Sequence, residues 1–299
     1  MKNQTHLIEE IEYNLYQQER IYDDFEAFNK HRNNNENLIL YLNIRSLNAN
    51  FDKLEILIKN LKIKPYVIVC TEVWQLAHFH YYKINDYNIY YNQGDINKND
   101  GVVIYIRDDV IQSTETISIG KLKILNTIIT LSNSKILEIS SLYRSHDLSY
   151  TEFNCNLKSY LVLKRKVRNH IIIGDFNINI QECNATSIDF LNNLLEKGFF
   201  PSFIKTTRPK NLTTEIGTCI DNIFVKTDFL ITKPLTLRVP ITDHYPLFLV
   251  IKNGNLYANK KTTNKNEYYI NYNSLFNNTK QIDWTKYKNI KNQNVFEKN

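Results

Sequence analysis

The residues best placed to do chemistry are Asp175 and Asn177, which follow the apolar run Ile171–Ile173 and Gly174. Three β-branched aliphatic residues in succession predict a fully buried strand, and the glycine permits a tight turn where that strand ends. A carboxylate and an amide two positions apart at the mouth of a strand can face one pocket. There the carboxylate serves as a metal ligand or a base, and the amide holds a phosphate oxygen. Taken alone, the same residues also fit an ordinary polar turn.

Polar residues also stand at the ends of the other apolar runs. They are Asn43, Glu72, Tyr143, Asp221, Asp243 and His244. Each has an ordinary explanation by itself, as a solvated turn, a core aromatic with a hydrated hydroxyl or a capped turn. Layered α/β folds, however, commonly form ligand crevices where several strands end at one edge of a sheet. The whole set therefore predicts a site at such an edge.

The elements that must position these residues alternate between strands and single helices. Apolar residues spaced three and four apart predict a helix over residues 47–61, and two more helices are predicted over about 150–166 and 187–197. Strands are predicted at residues 38–43, 66–70, 87–91, 101–106, 122–131, 135–142, 171–173, 219–225, 229–238 and 246–251. This order predicts an α/β fold with a mixed sheet layered with helices.

The composition is that of a globular protein with a small basic excess. The 299 residues are 42% hydrophobic, which is enough for a substantial core, and the net charge of +6 favours a polyanionic partner only slightly. The four cysteines lie far apart without metal-finger spacing, which indicates reduced thiols in a reducing compartment. Because the start of the chain lacks a secretion signal and no apolar run approaches the ~18–20 residues of a membrane span, neither secretion nor membrane insertion is expected.

Two extensions flank the predicted domain, which spans residues 37–252. Residues 1–36 form a polar leader in which apolar residues recur at roughly helical spacing, and this pattern predicts an amphipathic helix packed on the domain or on a partner. Residues 253–299 are rich in Asn, Lys and Tyr and poor in aliphatic residues, which predicts a tail outside the domain.

Seven sequence blocks occur in this chain in the order found in one superfamily. They are Asn43–Leu47, Thr71–Trp74, Gly101–Ile106, Tyr143-Arg144, Gly174–Asn177, Ile220–Val225 and Thr242–Pro246. The set resembles the endonuclease/exonuclease/phosphatase superfamily, and within it the apurinic-endonuclease-like domain at the front of non-LTR retrotransposon polyproteins. One short motif alone is weak evidence, but the ordered set is highly specific.

The resemblance implies a DNase I-like four-layer α/β sandwich, in which two packed mixed β-sheets are flanked by helices and the active site lies at the sheet edge. Members of the superfamily cleave phosphodiesters with Mg²⁺ or Mn²⁺. Carried over to this chain, the metal ligands are Glu72 as the main one, Asn43 beside it, and Asp243 completing the metal side.

The resemblance also assigns the catalytic roles. Asp175 orients or deprotonates the attacking water, Asn177 holds the phosphate, and Tyr143 braces the phosphate and the site. Asp221 fixes and polarises His244. This chemistry is physically reasonable, because a divalent ion and an imidazolium both neutralise charge on a phosphorane-like transition state.

Departures from the superfamily pattern favour one branch of it. Two positions after Glu72, repair apurinic endonucleases usually carry a lysine, whereas Trp74 stands here as in the retroelement group. The two prolines that usually follow Tyr143-Arg144 in that group are absent, so the loop at Ser145-His146 is expected to differ in shape. We therefore expect a DNA endonuclease that nicks one strand and leaves a 3′-hydroxyl for priming.

Partners follow from that expectation. DNA backbone contacts are expected from Arg45, Arg107, Arg144 and Arg208, although each also fits an ordinary surface charge. The tail resembles the connector that leads to a reverse transcriptase in retroelement proteins, so a reverse transcriptase of the same element is an expected partner. A DNA substrate implies an intracellular protein of the nucleus.

Two alternatives stay open on the sequence. In the first, the chain is another phosphoesterase of the same fold, which acts on abasic DNA or on a phosphoinositide or sphingolipid head group. In the second, it is a domesticated domain that serves as a non-catalytic binding module. The lack of an apolar membrane hairpin weighs against lipid substrates. The intact acidic residues and His244 weigh against the binding module.

Overall fold

The structure of the protein is a computed structural model that describes residues 18–33, 36–94, 96–110, 112–130, 136–211, 216–252 and 270–271. The helices of this part are α1 (Phe25–Lys30), α2 (Leu47–Asn60), α3 (Tyr150–Leu163) and α4 (Ala185–Leu195), with a short 3-10 helix at Phe79–Tyr81. None of these helices is long and apolar enough to cross a membrane. Most residues of the predicted leader helix and tail lie outside the described residues.

The strands are short and numerous. In chain order they are β1 (Arg20–Tyr22), β2 (Asn37–Asn43), β3 (Val67–Thr71), β4 (Tyr87–Asn92), β5 (Val102–Arg107), β6 (Gln112–Ile119), β7 (Leu122–Thr130), β8 (Ile136–Tyr143), β9 (His170–Asp175), β10 (Phe200–Pro201), β11 (Arg208–Pro209), β12 (Gly217–Thr218), β13 (Asp221–Lys226), β14 (Ile231–Leu237), β15 (Leu247–Lys252) and β16 (Ile270–Asn271).

These strands form two mixed sheets and one hairpin. The first sheet has the order β1-β14-β15-β2-β3-β5-β4, with β16 also paired to β14, and the second has the order β10-β13-β9-β8-β7-β6. Parallel pairs β2–β3 and β8–β9 lie inside otherwise largely antiparallel sheets. The hairpin is β11–β12. The prediction of mixed sheets is confirmed.

Three apolar clusters show how the layers stack. One cluster lies between the sheets and takes residues such as Ile39 and Val69 from the first sheet and Ile171 from the second. The other two clusters lie on the outer faces, where α1 and α2 cover the first sheet and α3 and α4 cover the second. Each fully buried aliphatic side chain in such a layer stabilises the fold by about 1.5–3 kcal/mol. The predicted four-layer α/β sandwich is therefore confirmed.

Three differences between the structure and the predicted elements concern the two large sheets. Gln112–Ile119 forms a strand that was not predicted, because its alternating exposed residues are mostly polar and carry little apolar signal. Arg20–Tyr22 lies within the predicted leader helix but forms a strand paired with β14. Strand β9 does not end at Gly174 but continues to Asp175. Glycine is required there because a Cβ would lie 1.9 Å from the carbonyl oxygen of Leu142.

Strand register brings the chemically active residues to one edge. Asn43 and Thr71 are paired at the ends of the parallel strands β2 and β3, and Tyr143 and Asp175 are paired at the ends of β8 and β9. Asp221 begins the antiparallel strand β13 directly opposite Asp175. Since the carboxyl ends of both parallel pairs face the same way, the two packed sheets present one shared edge.

Candidate active site

The site joins the two sheets through the side chain of Asn43. Its Nδ2 donates to Oε1 of Glu72 at 2.9 Å and to Oδ2 of Asp175 at 2.9 Å, while its Oδ1 accepts from the backbone N–H of Arg45 at 3.1 Å. Asn43 ends a strand of the first sheet and Asp175 ends a strand of the second. Asn43 and Asp175 are both fully buried. The Asn43 amide, hydrogen-bonded through its nitrogen and its oxygen, therefore holds the carboxylates of Glu72 and Asp175 in fixed positions.

Three side chains of this edge lie close enough to share a metal ion. Glu72, Asp175 and His244 each offer a ligand atom, and these atoms lie within 4.8 Å of one another; among the described residues, no other acidic, histidine or cysteine side chain joins the group. Carboxylate oxygens are the ligands that hard divalent cations such as Mg²⁺ prefer. The two carboxylates therefore fit such an ion, and Asn43 as a further ligand stays a prediction.

His244 owes its charge state to Asp221. Because an ionised carboxylate only accepts, Nδ1–H of the ring donates to Oδ2 of Asp221, at 2.8 Å. Burial lowers the pKa of His244, but the Asp221 carboxylate outweighs that effect and raises the pKa to about 9. An imidazolium has no lone pair for a metal ion. In this state His244 is a donor toward a phosphate rather than the third metal ligand, in spite of its place in the cluster.

Two residues that the sequence analysis did not single out hold Asp221. The hydroxyl of Tyr41 donates to Oδ1 at 2.7 Å, and the hydroxyl of Thr207 donates to Oδ2 at 2.8 Å. Burial, with the charges of Asp221 and Asp175, raises the pKa of Tyr41 well above its usual value, so the phenol keeps its proton. Tyr41 lies two residues before Asn43 in β2, so both side chains point to the same face of the sheet. This two-residue periodicity is the sequence signal that could have identified Tyr41. Thr207 lies in a loop where no pattern marks it.

Asp175 has the properties of a basic carboxylate. Burial, followed by the negative charge of Asp221, raises its pKa above the ordinary value. Its Oδ1 accepts from the backbone N–H of Asn177 at 2.8 Å, and Asn43 bonds its other oxygen. A fixed carboxylate with a raised pKa can accept a proton from water near neutral pH.

Tyr143 lies next to Glu72, as the bracing role requires. Its hydroxyl donates to Oε1 of Glu72 at 3.3 Å. Burial, together with the charges of Glu72 and Asp175, raises the pKa of Tyr143, so that it remains a neutral donor. Contact between this hydroxyl and a phosphate stays a prediction.

A reciprocal contact between Arg144 and Asn177 holds the loop that lacks the two prolines. The guanidinium Nη1 donates to the carbonyl of Asn177 at 3.1 Å, and Nδ2 of Asn177 donates to the carbonyl of Arg144 at 2.6 Å. Nη2 also donates to the carbonyl of Leu148 at 3.0 Å, and the guanidinium lies over the ring of Phe153. The arginine thus fixes the loop in place of the prolines. The side chain of Asn177 also hydrogen-bonds to the hydroxyl of Tyr143, which links this loop to the end of β8. Contact between Asn177 and a phosphate stays a prediction.

Asp243 has neighbours other than the metal cluster. Its Oδ2 lies 2.8 Å from Nη1 of Arg45 and 2.9 Å from Nη2 of Arg208. Partial burial raises the pKa of Asp243, but His244 and the two arginines outweigh it, and the pKa falls below its usual value. The carboxylate is therefore ionised and engaged by two cations, while its role as a metal ligand stays a prediction.

Strained backbone is concentrated at this edge. Positive φ values occur at Arg45, Ser46, Glu72, Trp74 and Asn177, and elsewhere in the described chain only at Asp86 among non-glycine residues. Each such residue costs of order 1–3 kcal/mol and persists only where its surroundings fix it. The loops after β2, β3 and β9 thus hold their side chains against a local preference for other conformations.

The fourth predicted DNA-contacting arginine lies elsewhere. Arg107 ends β5, which is antiparallel to β3, so it stands at the edge opposite the site. Its guanidinium forms two hydrogen bonds with Asp109, at 2.6 and 2.8 Å. Arg107 is therefore an ordinary ion-paired surface residue.

Comparisons with known proteins agree with this architecture. A family model described as "Endonuclease/Exonuclease/phosphatase family" matches residues 40–244. Among solved structures, an endonuclease/exonuclease/phosphatase family protein from Leptotrichia buccalis C-1013-b has a TM-score of 0.52 at 17% identity, over 72% of this chain and 99% of that one. The endonuclease domain of TRAS1, a telomere-specific non-LTR retrotransposon, has a TM-score of 0.53 at 14% identity, over 72% and 98%. An AP endonuclease from Archaeoglobus fulgidus has a TM-score of 0.53 at 16% identity, over 72% and 99%. No curated protein sequence matches this chain.

Proposed function

Since the chain belongs to the endonuclease/exonuclease/phosphatase family, we propose that it is a divalent-metal-dependent DNA endonuclease that nicks one strand and leaves a 3′-hydroxyl. The observation that carries this proposal is the convergence of Glu72, Asp175 and His244, whose ligand atoms lie within 4.8 Å of one another. Two carboxylates beside an imidazolium suit a reaction in which negative charge develops on a phosphate while water loses a proton.

Glu72 would hold the cation, with Asn43 beside it, and Asp175 would face the attacking water. Mg²⁺ or Mn²⁺ bound there would supply Lewis-acid stabilisation of the phosphate oxygens. Glu72 is kept in place by the amide of Asn43 and the hydroxyl of Tyr143. These two neutral donors leave the charge of the carboxylate free to bind a cation.

The remaining roles fall to groups whose protonation states suit them. Asp175 accepts the proton of the attacking water, because its raised pKa makes it basic while its two oxygens are fixed by hydrogen bonds. His244, kept protonated by Asp221, donates to the phosphate and stabilises the charge that develops there. Asn177 and Tyr143, whose side chains hydrogen-bond to each other, hold the phosphate together.

Two of the structures with a similar fold and the residue at position 74 favour DNA as the substrate. The endonuclease domain of TRAS1 and the Archaeoglobus fulgidus AP endonuclease are similar in fold to this chain, and Trp74 stands where the retroelement group carries tryptophan. On this proposal the protein acts in the nucleus, with a reverse transcriptase of the same element as a partner. An abasic-site nuclease is the second candidate, because the AP endonuclease fits the same fold equally well.

A plasmid-nicking assay tests the proposal. Wild-type protein should convert supercoiled plasmid to the relaxed form with Mg²⁺ and not with EDTA, and Asp175→Asn and His244→Gln should each lose about 10²- to 10⁴-fold in rate. The control is Asp109→Asn, which removes an exposed carboxylate at the opposite edge and should cut like the wild type. Extension of the nick by a DNA polymerase without prior treatment reports the 3′-hydroxyl.

The outcomes separate the candidates. Cleavage of an abasic duplex with no nicking of intact plasmid would favour the repair-type nuclease. A folded protein that leaves both DNA substrates intact with Mg²⁺ and with Mn²⁺ would rule out a DNA nuclease. Phosphoinositides and then a non-catalytic binding role would be tested next.

A further inference from the structure

We propose that Arg45 and Arg208 form a binding site for a backbone phosphate of a polynucleotide next to the scissile one, and that Asp243 positions this pair. The inference rests on the proposed function, because it names what the protein holds on the substrate outside the reacting group. It assigns the Oδ2 oxygen of Asp243 to the two arginines.

The geometry of the pair is specific. Nη1 of Arg45 lies 2.8 Å from Oδ2 of Asp243, and Arg208 donates to the same oxygen from Nε at 3.1 Å and from Nη2 at 2.9 Å. Two guanidiniums thus share one carboxylate oxygen. They carry one positive charge more than the carboxylate neutralises, and that surplus suits a phosphodiester.

The backbone at Arg45 is built to aim its side chain. Arg45 and Ser46 have φ values of 45° and 80°, which non-glycine residues rarely adopt. The Arg45 N–H donates to Oδ1 of Asn43, and the Ser46 N–H donates to the carbonyl of Glu72 at 2.8 Å. An ordinary surface arginine needs no such strained and anchored backbone.

Both arginines remain open to a substrate. Their side chains are 53% and 36% exposed, which leaves donors available for a phosphate oxygen. Arg208 also lines an open cavity of about 410 Å³ whose wall includes Asn177 of the site. Arg208 therefore opens onto the same cavity as Asn177, and Arg45 joins it through the shared oxygen of Asp243.

The phosphate bound here is a neighbour of the scissile one. The groups that suit the reacting phosphate are Glu72, Asp175 and His244, and Asp243 is not part of that cluster. Asp243 directly follows Thr242 and precedes His244, and the hydroxyl of Thr242 accepts from the His244 N–H at 3.1 Å. The short segment that places His244 thus also places Asp243, and through it the arginine pair, next to the reacting groups.

Equilibrium binding in EDTA tests the site without cleavage. The probe is a fluorescein-labelled DNA duplex, and its affinity is measured by anisotropy over a range of salt concentrations. Each phosphate contact contributes about −0.9 to the slope of log K against log salt. Arg45→Ala and Arg208→Ala should each reduce the slope, and the double variant should reduce it by about that amount in total, because the pair holds one phosphate. Arg107→Ala, which removes an ion-paired arginine at the opposite edge, is the matched control.

A loss of binding through misfolding is separable from a loss of the contact. Arg45→Gly removes the guanidinium and also relieves the positive φ, so it should fold at least as well as the wild type and still show the reduced slope. If Arg45→Gly and Arg208→Ala both bind with the slope and affinity of Arg107→Ala, the phosphate site is wrong.

The positioning role of Asp243 has its own readout. Asp243→Asn should raise KM for nicking more than it lowers kcat, since it loosens the arginines rather than the reacting groups, and Asp243→Glu should restore part of KM. A fall in kcat with KM unchanged would place Asp243 at the reacting atoms and overturn this role.

Failure here is distinguishable from failure of the proposed function. A wild type that nicks DNA while the arginine variants keep its slope contradicts the phosphate site alone. If the wild type never cleaves DNA but both arginine variants bind it with a reduced salt slope, the nuclease proposal is contradicted and the phosphate site is still supported.

Discussion

Two buried histidines of this protein have pKa values that are shifted in opposite directions. His244 at the active edge and His170 at the start of β9 are both almost completely shielded from solvent. The pKa of His244 rises to about 9, whereas burial and the charges of Lys226 and Lys164 lower the pKa of His170 to about 3. Desolvation disfavours the charged ring at both positions. The difference lies in the partner that each ring meets.

Within the described part of the chain, His170 hydrogen-bonds to a neutral hydroxyl and has no carboxylate partner. Ser140 Oγ donates to Oδ1 of Asn126 at 2.9 Å, so it accepts from Nε2–H of His170 at 2.6 Å, and Nδ1 of the ring is buried without a partner. A second proton would therefore have no acceptor. His244 instead faces the carboxylate of Asp221, which stabilises the charged ring. A carboxylate at 2.8 Å thus decides whether a buried histidine supports the core or carries charge for chemistry.

Asp221→Asn should give the largest effect, because it makes His244 resemble His170. Without the carboxylate, only the charges of Asp175 and Asp243 oppose burial, and the pKa of His244 should fall from about 9 toward its ordinary value of 6.5. The ring would then be neutral at pH 7, and nicking should slow by about 10²- to 10⁴-fold. The measurements are the nicking rate and an NMR titration of the two ring signals in EDTA.

The same titration contains its own control. The His170 signal should be unaffected by Asp221→Asn, since its neighbours are Ser140 and aromatic rings. A His244 pKa that stays near 9 in the variant would show that Asp221 is not the source of its charge.

His170 should make the protein unstable in acid. Its folded pKa lies below the unfolded value, so the unfolded state binds the extra proton and stability falls as the pH drops from about 6.5 toward 3. The loss is about 1.4 kcal/mol for each pH unit in that window. Between about pH 6.5 and pH 4.5, urea unfolding should show that the wild type loses roughly 2.3 kcal/mol more unfolding free energy than His170→Gln. Equal losses in both proteins would contradict the assignment.

His244 should have the opposite pH dependence. Its folded pKa lies above the unfolded value, so the stability it contributes is complete below pH 6.5 and is lost as the pH rises through about 9. The full contribution is about 3.4 kcal/mol at the stated shift of roughly 2.5 pH units. In EDTA, His244→Gln should lose less stability than the wild type between neutral pH and about pH 9.5. A wild type whose unfolding free energy does not change over this pH range would contradict the raised pKa of His244.

The sequence predicted most of the scaffold because buried strands carry a strong signal. Runs such as Leu38–Asn43 and Ile171–Ile173 are apolar on both faces, as strands in a four-layer fold must be. Gln112–Ile119 was missed because an edge strand with one solvated face needs few apolar residues. The polar residues at strand ends were predicted for the same reason as the strands, since each stands where an apolar run stops.

The partners of those residues were harder to predict. Arg144 fixes its loop by donating to backbone carbonyl groups, which every residue has, so no pattern of residue types predicts this role. Asp243 meets Arg45 and Arg208 from loops far apart in sequence, and only the folded register brings them together. Thr207 reaches Asp221 from a loop as well. Sequence pattern thus locates residues on elements, whereas contacts between loops require the structure.

Tyr41→Phe tests a contact of the kind that the sequence did not reveal, and it should have the smallest effect. The variant removes the hydroxyl that donates to Oδ1 of Asp221 at 2.7 Å but leaves Thr207 on the other oxygen. Loss of a buried hydrogen bond to a charged group costs about 1.5–3 kcal/mol of unfolding free energy. Tyr105→Phe is the control, since its hydroxyl donates to the neutral carbonyl of Tyr82 at 2.9 Å and should cost about 0.5–1.5 kcal/mol. Urea unfolding of both variants at pH 7 measures the difference. Equal costs would mean that the charge of Asp221 does not strengthen the tyrosine contact, and that Thr207 and His244 alone satisfy the carboxylate.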